Sequence, residues 1–225
     1  MSPVLKPQKI IRSARRRNLA LEINSRGELI VRAPFSLSLK KIEQFIQAKH
    51  DWIAKHQKHA RALRPRQKFE SGAWFNYLGC QYQLKLISTS KIPLSLDQFF
   101  IMDARYLRQA RLLFTNWYQK QARRVLKNRL DYYVRRTGWR PKAFKIANTR
   151  KQWGSCTAKG AVGFSWRLVL APLEVIDYVV VHELAHLKHH HHQRKFWQAV
   201  AAALPDYQES RAWLRNYGAS LSWDD

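Results

Sequence analysis

Apolar positions along this chain change period several times, and each change marks an element. Lys9 to Ala14, Leu19 to Asn24 and Glu28 to Ala33 alternate apolar and polar residues, the period of short strands, and Ser25-Arg26-Gly27 has the composition of a hairpin turn. From Leu39 the period lengthens to about 3.6 residues. Leu39, Ile42, Phe45, Ile46, Lys49, Trp52, Ile53 and His56 then fall on one face of a helix, with Ser38 placed as its amino-terminal cap. Ala73 to Tyr77, Cys80 to Ile87 and Leu94 to Met102 return to strand patterning, the first two joined at Leu78-Gly79. A long helix over Arg105 to Arg136 carries Leu113, Trp117, Leu126, Leu130 and Tyr133 on its apolar side and ends before Gly138.

Phe144 to Asn148 and Ala161 to Leu168 read as strands on either side of a turn at Gly154 to Gly160. The next helix opens with Pro172, has Glu174 and Asp177 early, and repeats Val175, Ile176, Val179 and Val180 at helical spacing, so it is buried. Phe196, Trp197, Val200 and Leu204 mark another helix, and Pro205 begins a last one containing Trp213 and Leu214. Runs of strands followed by runs of helices indicate an α+β fold. A strand-rich part with one amphipathic helix, residues 1–103, precedes a helical part with a small sheet, residues 104–225, unless the two form one continuous domain. The basic stretch Arg61 to Lys68, interrupted by Pro65, is the best place for a boundary, and no internal repeat or low-complexity linker is present.

The buried helix runs into His182-Glu183-Leu184-Ala185-His186. Two histidines four residues apart lie on one helix face, one turn apart, and can converge on a single metal ion, while Glu183 sits beside the ion's open position. There a carboxylate can take a proton from a water activated by zinc and pass it to a leaving group. A single histidine in a core is ordinarily a satisfied structural residue. Two histidines with an intervening glutamate put three costly polar groups into one apolar helix, which a bound ion explains.

A third ligand must come from His189, His190, His191 or His192. Were the helix to continue, His189 would lie about 10.5 Å along the axis from His182, too far for one zinc ion with bonds of about 2.1 Å. The chain therefore has to turn back after His186. His192 opens the next apolar-periodic segment and is the preferred ligand, with His190 in reserve; His189 to His191 then belong to a solvated loop.

These residues carry a resemblance. Trp153-Gly154-Ser155-Cys156, Phe164 to Leu168, Ala171-Pro172, Val175 to Leu187, and His192 with Phe196-Trp197 resemble the YgjP-like metal-dependent hydrolases, densely from about Arg150 to Tyr217. Arg32-Ala33-Pro34, Lys49 to Ile53 and Tyr77-Leu78-Gly79 are similar to that family's opening segments. The resemblance implies a zincin-like catalytic part, ligands at His182, His186 and His192, and Glu183 as general base. Two positions depart from the family pattern: His191 stands where an Asn usually precedes the third histidine, and Ser165 where an Asn often precedes the tryptophan.

Composition narrows the setting. The 225 residues are 46% hydrophobic and include 9 Trp, 9 Tyr and 10 Phe, enough for a real core. The start Met-Ser-Pro-Val-Leu-Lys has no secretory apolar stretch, and no run approaches the roughly 18 apolar residues of a membrane helix, so a cytoplasmic protein is expected. Cys80 and Cys156 are too few and too far apart for a disulfide framework or a thiolate zinc site. Lys and Arg number 41 against 15 Asp and Glu, a formal charge of +26 that attracts polyanions. Between Asp131 and Glu174 there is no acidic residue, and Arg150, Lys151 and Arg167 are the candidate substrate-binding cations. Trp139, Trp153 and Trp166 interleave with such cations and could stack on bases, although tryptophans in this setting are more often core.

Three functions remain in view. The first is a zinc metallopeptidase acting on a polypeptide, with Glu183 as base. The second is a metal-dependent nucleotide phosphohydrolase on the same site, with Arg150, Lys151 or Arg167 neutralising phosphates. The third is a nucleic-acid-binding module whose histidines close a structural zinc site, a reading that leaves Glu183 without a purpose.

Overall fold

The computed structural model describes residues 6–14, 16–23, 27–62, 67–150 and 152–221. Helices and small sheets segregate along the chain in an α+β arrangement, and the chain divides between Gln67 and Lys68 into two compact units. Strands of residues 74–103 thus share a unit with the His-Glu-Leu-Ala-His helix; Pro65 lies outside the described residues. No helix among the described residues is long and apolar enough to cross a membrane.

In the first unit, β1 (Lys9–Ser13), β2 (Ala20–Ile23) and β3 (Leu29–Pro34) form a sheet with β3 in the centre, parallel to β1 and antiparallel to β2. Leu29, Val31 and Ala33, every second residue of β3, face a core completed by Ile42, Ile46 and Ile53. The expected hairpin between β2 and β3 is bracketed by the pair Ile23–Leu29, while Ser25 and Arg26 lie outside the described residues. Ser38 caps α1 (Leu39–Ala48) by accepting the Lys41 N–H. The helix expected to run on through His56 instead breaks at Lys49, whose N–H bonds to both Phe45 and Ile46 carbonyls, and resumes as α2 (His50–Ala62). Ile46 and Ile53 stay on the core side across the break, which is why the apolar period conceals it.

The second unit holds two sheets. β4 (Trp74–Tyr77), β5 (Cys80–Ile87), β6 (Leu94–Leu96) and β7 (Phe100–Asp103) are ordered β4-β5-β7-β6. The single strand expected over Leu94 to Met102 is therefore a tight antiparallel pair, β6 with β7. A 3-10 turn, Ala104–Gln109, precedes α3 (Ala110–Thr137), which ends at Gly138 with a left-handed φ of 72°. Its buried residues Ala110, Phe114, Tyr118, Ala122, Leu126 and Leu130 recur every fourth position, and Phe114 stacks on Phe75 with centroids 4.0 Å apart. The second sheet is β8 (Ala143–Ala147), β9 (Gly154–Cys156) and β10 (Ala161–Ser165), in the order β8-β10-β9. Gly154 to Cys156, expected as part of a turn, pairs antiparallel with β10, and the strand expected to reach Leu168 stops at Ser165 and tightens into a 3-10 turn, Trp166–Leu170.

α4 (Leu173–Ala185) is buried over nearly its whole length, and three contacts fix it. The Leu78 N–H donates to the Val169 carbonyl at 2.8 Å. Gly79, with φ of 80°, comes so close to Pro172 that a Cβ would lie 2.9 Å from its Cα, so only glycine fits. Arg129 of α3 grips Asp177 with two bonds of 2.5 and 2.6 Å, a bidentate pair between the helices. α5 (Arg194–Ala203) and α6 (Tyr207–Tyr217) complete the unit, the latter starting two residues beyond Pro205.

Asp103, wholly buried at the end of β7, accepts from the Ser90 and Arg105 backbone N–H groups, each at 2.9 Å, and from the Arg105 guanidinium at 2.6 Å. The Arg105 side chain above all holds its carboxyl well below the usual range. A carboxyl depressed on folding stabilises the fold above its unfolded value of about 4, and that contribution disappears as pH falls through the folded value. Asp103→Asn should lower Tm at pH 7 and flatten its decline between pH 5 and 2. Thermal unfolding monitored by circular dichroism checks this; an unchanged acid slope would place the sensitivity elsewhere.

Candidate metal centre

The end of α4 places His182 and His186 one turn apart with ring centroids separated by 5.0 Å. Past Ala185 the chain closes tightly, Leu187 N–H to Leu184 carbonyl and His189 N–H to Ala185 carbonyl, and so reverses as the ligand geometry demands. His192 then arrives immediately before α5. Its carbonyl accepts from the Trp197 indole N–H at 3.1 Å, and Phe196, fully buried, packs its ring 4.7 to 4.9 Å from all three histidine rings. One apolar side chain therefore backs the whole cluster.

Ring nitrogens of His182, His186 and His192 lie within 4.8 Å of one another, and Nε2 of His182 is 3.0 Å from Nε2 of His192. Two ligands on a tetrahedral ion with bonds of about 2.1 Å stand about 3.4 Å apart, so the cluster is close to the spacing such an ion requires. Protonation agrees. Burial, and then the neighbouring His186 and His192, lower the His182 pKa to about 3; burial also lowers His186. His186 Nδ1 is 3.1 Å from the His189 carbonyl, which can only accept, so Nδ1 carries the proton and Nε2 keeps its lone pair. His182 Nδ1 is buried with no hydrogen-bond partner among the described residues. Convergent imidazoles, two of them disfavoured as cations by burial, are a donor set suited to a divalent ion. His189 contributes its carbonyl, while His190 and His191 are exposed and outside the cluster.

Glu183, 6% exposed, lies against β9. A Cβ on Gly154 would stand 2.5 Å from Glu183 Cγ and 2.6 Å from Oε1, so the missing side chain is what makes room for the carboxylate. Burial pushes that carboxyl up to about 7. The Cys156 thiol is likewise pushed up, by burial first and then by Glu183, which keeps it protonated.

Other expected residues lie elsewhere. Arg167 is 1% exposed; its guanidinium donates to Asn148 Oδ1 at 2.8 Å and stacks 4.3 Å from the Trp166 ring. Arg150 is exposed after β8, and Lys151 lies outside the described residues. Trp166 is buried, as core tryptophans are, stacked on Tyr118. Arg211 of α6 was not distinguishable among 41 Lys and Arg: it lies 4.4 Å over Trp197, whose ring is 5.7 Å from His192 and 5.9 Å from His182, and its charge helps to lower the His182 pKa. Tyr178, one turn before His182, packs edge-on against it, and Tyr207 stacks on both Tyr178 and Trp197.

Untagged protein is expected to hold one divalent ion per chain by elemental analysis. Replacing His182 and His186 together by Ala should abolish that ion, whereas replacing His190 and His191 by Ala should leave it. Loss in the second pair would move the third ligand into the loop.

No curated protein and no solved structure matches the chain significantly. A family model does: residues 17–217 match the YgjP-like metallopeptidase domain, covering most of both units. Together with a three-histidine cluster on a His-Glu-Leu-Ala-His helix, that match makes the chain a metal-dependent, peptidase-like hydrolase belonging to the YgjP-like family.

Proposed function

We propose that the chain is a zinc-dependent peptidase in which His182, His186 and His192 hold the ion and Glu183 is the general base. Zinc bound there would supply Lewis acidity and lower the pKa of water. Glu183 takes the proton of the attacking water and delivers it to the leaving amine. A carboxyl raised towards neutrality by burial is suited to move a proton both ways. Arg211, held on the Trp197 ring, supplies positive charge for the oxyanion that develops on the substrate.

The observation that carries this reading is the contact between Glu183 and Gly154. It sets the base against β9, which among the described residues pairs only with β10. An extended polypeptide can add to the other edge of β9 through its backbone, bringing a peptide carbonyl to the base without any demand on side-chain identity. A nucleotide phosphohydrolase would need several cations around the cluster, and Arg167 is instead committed to Asn148. A structural zinc site would be closed by four protein ligands, whereas three histidines leave one position for chemistry.

Glu183→Gln should retain the ion and lower cleavage of an unfolded polypeptide by about 10²- to 10⁴-fold, the range of a lost acid–base catalyst. Gly154→Ala should also retain the ion yet lose kcat, since its Cβ displaces the carboxylate. Release of phosphate or pyrophosphate from nucleoside triphosphates, without peptide cleavage by the same preparation, would reject the peptidase reading.

A further inference from the structure

The sheet of the first unit ends at β2, which among the described residues pairs with β3 alone. Consecutive residues of a strand point to opposite faces, yet Ala20 and Leu21 both line one groove, so the groove runs along the outer edge of β2 and not over a face of the sheet. Of two neighbouring residues in an edge strand, one turns both its N–H and its C=O outwards. The backbone of Ala20 and Leu21 makes no bond beyond its sheet among the described residues. The ligand class that answers such an edge is another backbone in extended form.

The other wall of the groove comes from the helices: Phe45 of α1, Lys49 at the break, and Trp52 of α2. Trp52 is held in place, its indole stacked on His56 with ring centroids 4.1 Å apart and its carbonyl 2.8 Å from His56 Nδ1. With that face covered, the residue is still 39% exposed. Gln57 donates to the Gly27 carbonyl at 2.7 Å, which ties α2 to the segment between β2 and β3 and so fixes the wall to the strand edge. The space between them, about 190 Å³, falls below the roughly 300 Å³ at which small-molecule sites begin and suits one large apolar side chain. Lys49, exposed and in no ion pair among the described residues, is the one charged residue of the wall, and Arg17 stands exposed just before the strand.

We propose that the first unit binds an extended segment of a partner polypeptide as an added strand on β2, seating a large apolar side chain between Phe45 and Trp52 and an acidic residue against Lys49. Alternate residues of a strand share a face, so the acidic residue stands two positions from the apolar one. Backbone pairing supplies affinity and the groove supplies the choice of side chain. An acidic partner is favoured because the groove has a cation and no carboxylate among its described lining residues. This site does not rest on the peptidase reading: it is a binding surface made by the first unit alone and would stand if the histidine cluster had no peptidase activity.

The test is fluorescence anisotropy of the full-length protein with a labelled Thr-Thr-Phe-Thr-Asp-Thr-Thr peptide, confirmed intact by mass spectrometry. Trp52→Ala should weaken binding at least about tenfold, with Tm confirming that the variant folds, and the control Lys55→Glu, on α2 outside the groove wall, less than about threefold. Lys49→Glu should weaken this peptide and strengthen one with Lys in place of Asp. N-methylation of the Phe amide and of the amide after it, one at a time, should differ in effect by about tenfold, because only one of two neighbouring N–H groups faces β2. No saturable binding by the unaltered protein, equal losses in Trp52→Ala and the control, equal effects of the two N-methylations, or failure of the charge swap would each overturn the proposal. The same pattern occurs in Trp223-Asp224-Asp225, outside the described residues. A rise in affinity on removing residues 222–225 would assign the groove to this chain's own segment and overturn the proposal of a separate partner.

Discussion

Everything at the histidine cluster depends on a polar load carried by an apolar helix. α4 is buried from Val175 to Val181, and its last turn adds two imidazoles and a carboxylate to that interior. Burial keeps His182 and His186 neutral and raises Glu183, so the same desolvation that disfavours these groups also prepares them: lone pairs for an ion and a carboxyl poised for proton transfer. An ion shared by these rings would offset the cost of burying them, and would tie the local stability of this turn to metal binding.

Such a site works only if the helix cannot shift. Phe196 backs the three rings, but α4 itself is located by contacts far from the chemistry: the Arg129–Asp177 pair, the Leu78–Val169 backbone bond and the close approach of Gly79 to Pro172. The ion pair is partly buried, and burial outweighs Arg129 in setting the Asp177 carboxyl above its usual range. Its value is therefore geometric more than energetic. A bidentate guanidinium–carboxylate contact fixes both the angle and the register of α4 on α3.

Local rules made much of this legible. The four-residue spacing of His182 and His186 and the axial rise of a helix forced the chain to return, and the structure brings His192 to within 3.0 Å of His182. The alternation in β3 and the left-handed end of α3 at Gly138 were equally readable. What escaped was set by tertiary contact. Gly154 reads as a turn residue because glycine in a short polar stretch usually is one; its reason here is the carboxylate of Glu183, nearly thirty residues on. Arg167 looked like a substrate cation from its place in the chain, and only the fold shows its donors turned to Asn148. Arg211 had no signal at all, since its position over Trp197 comes from the packing of α6. The break at Lys49 escaped because the core period survives it.

α3 shows how one element can serve two surfaces without compromise. Its fourfold-spaced stripe of Phe114, Tyr118, Ala122, Leu126 and Leu130 is buried, and Arg129 reaches from it to α4. Lys120, Arg123 and Arg124 fall between those positions and remain exposed. Buried and exposed positions alternate on a helix at fixed angles, so charge can accumulate on the outer face without entering the packing that locates the histidines. Asp131 does not weaken that face, because Lys127 already neutralises it. Part of the strong positive charge of this chain thus lies on one side of a helix whose other side holds the histidine-bearing helix in place, and the two can be altered separately.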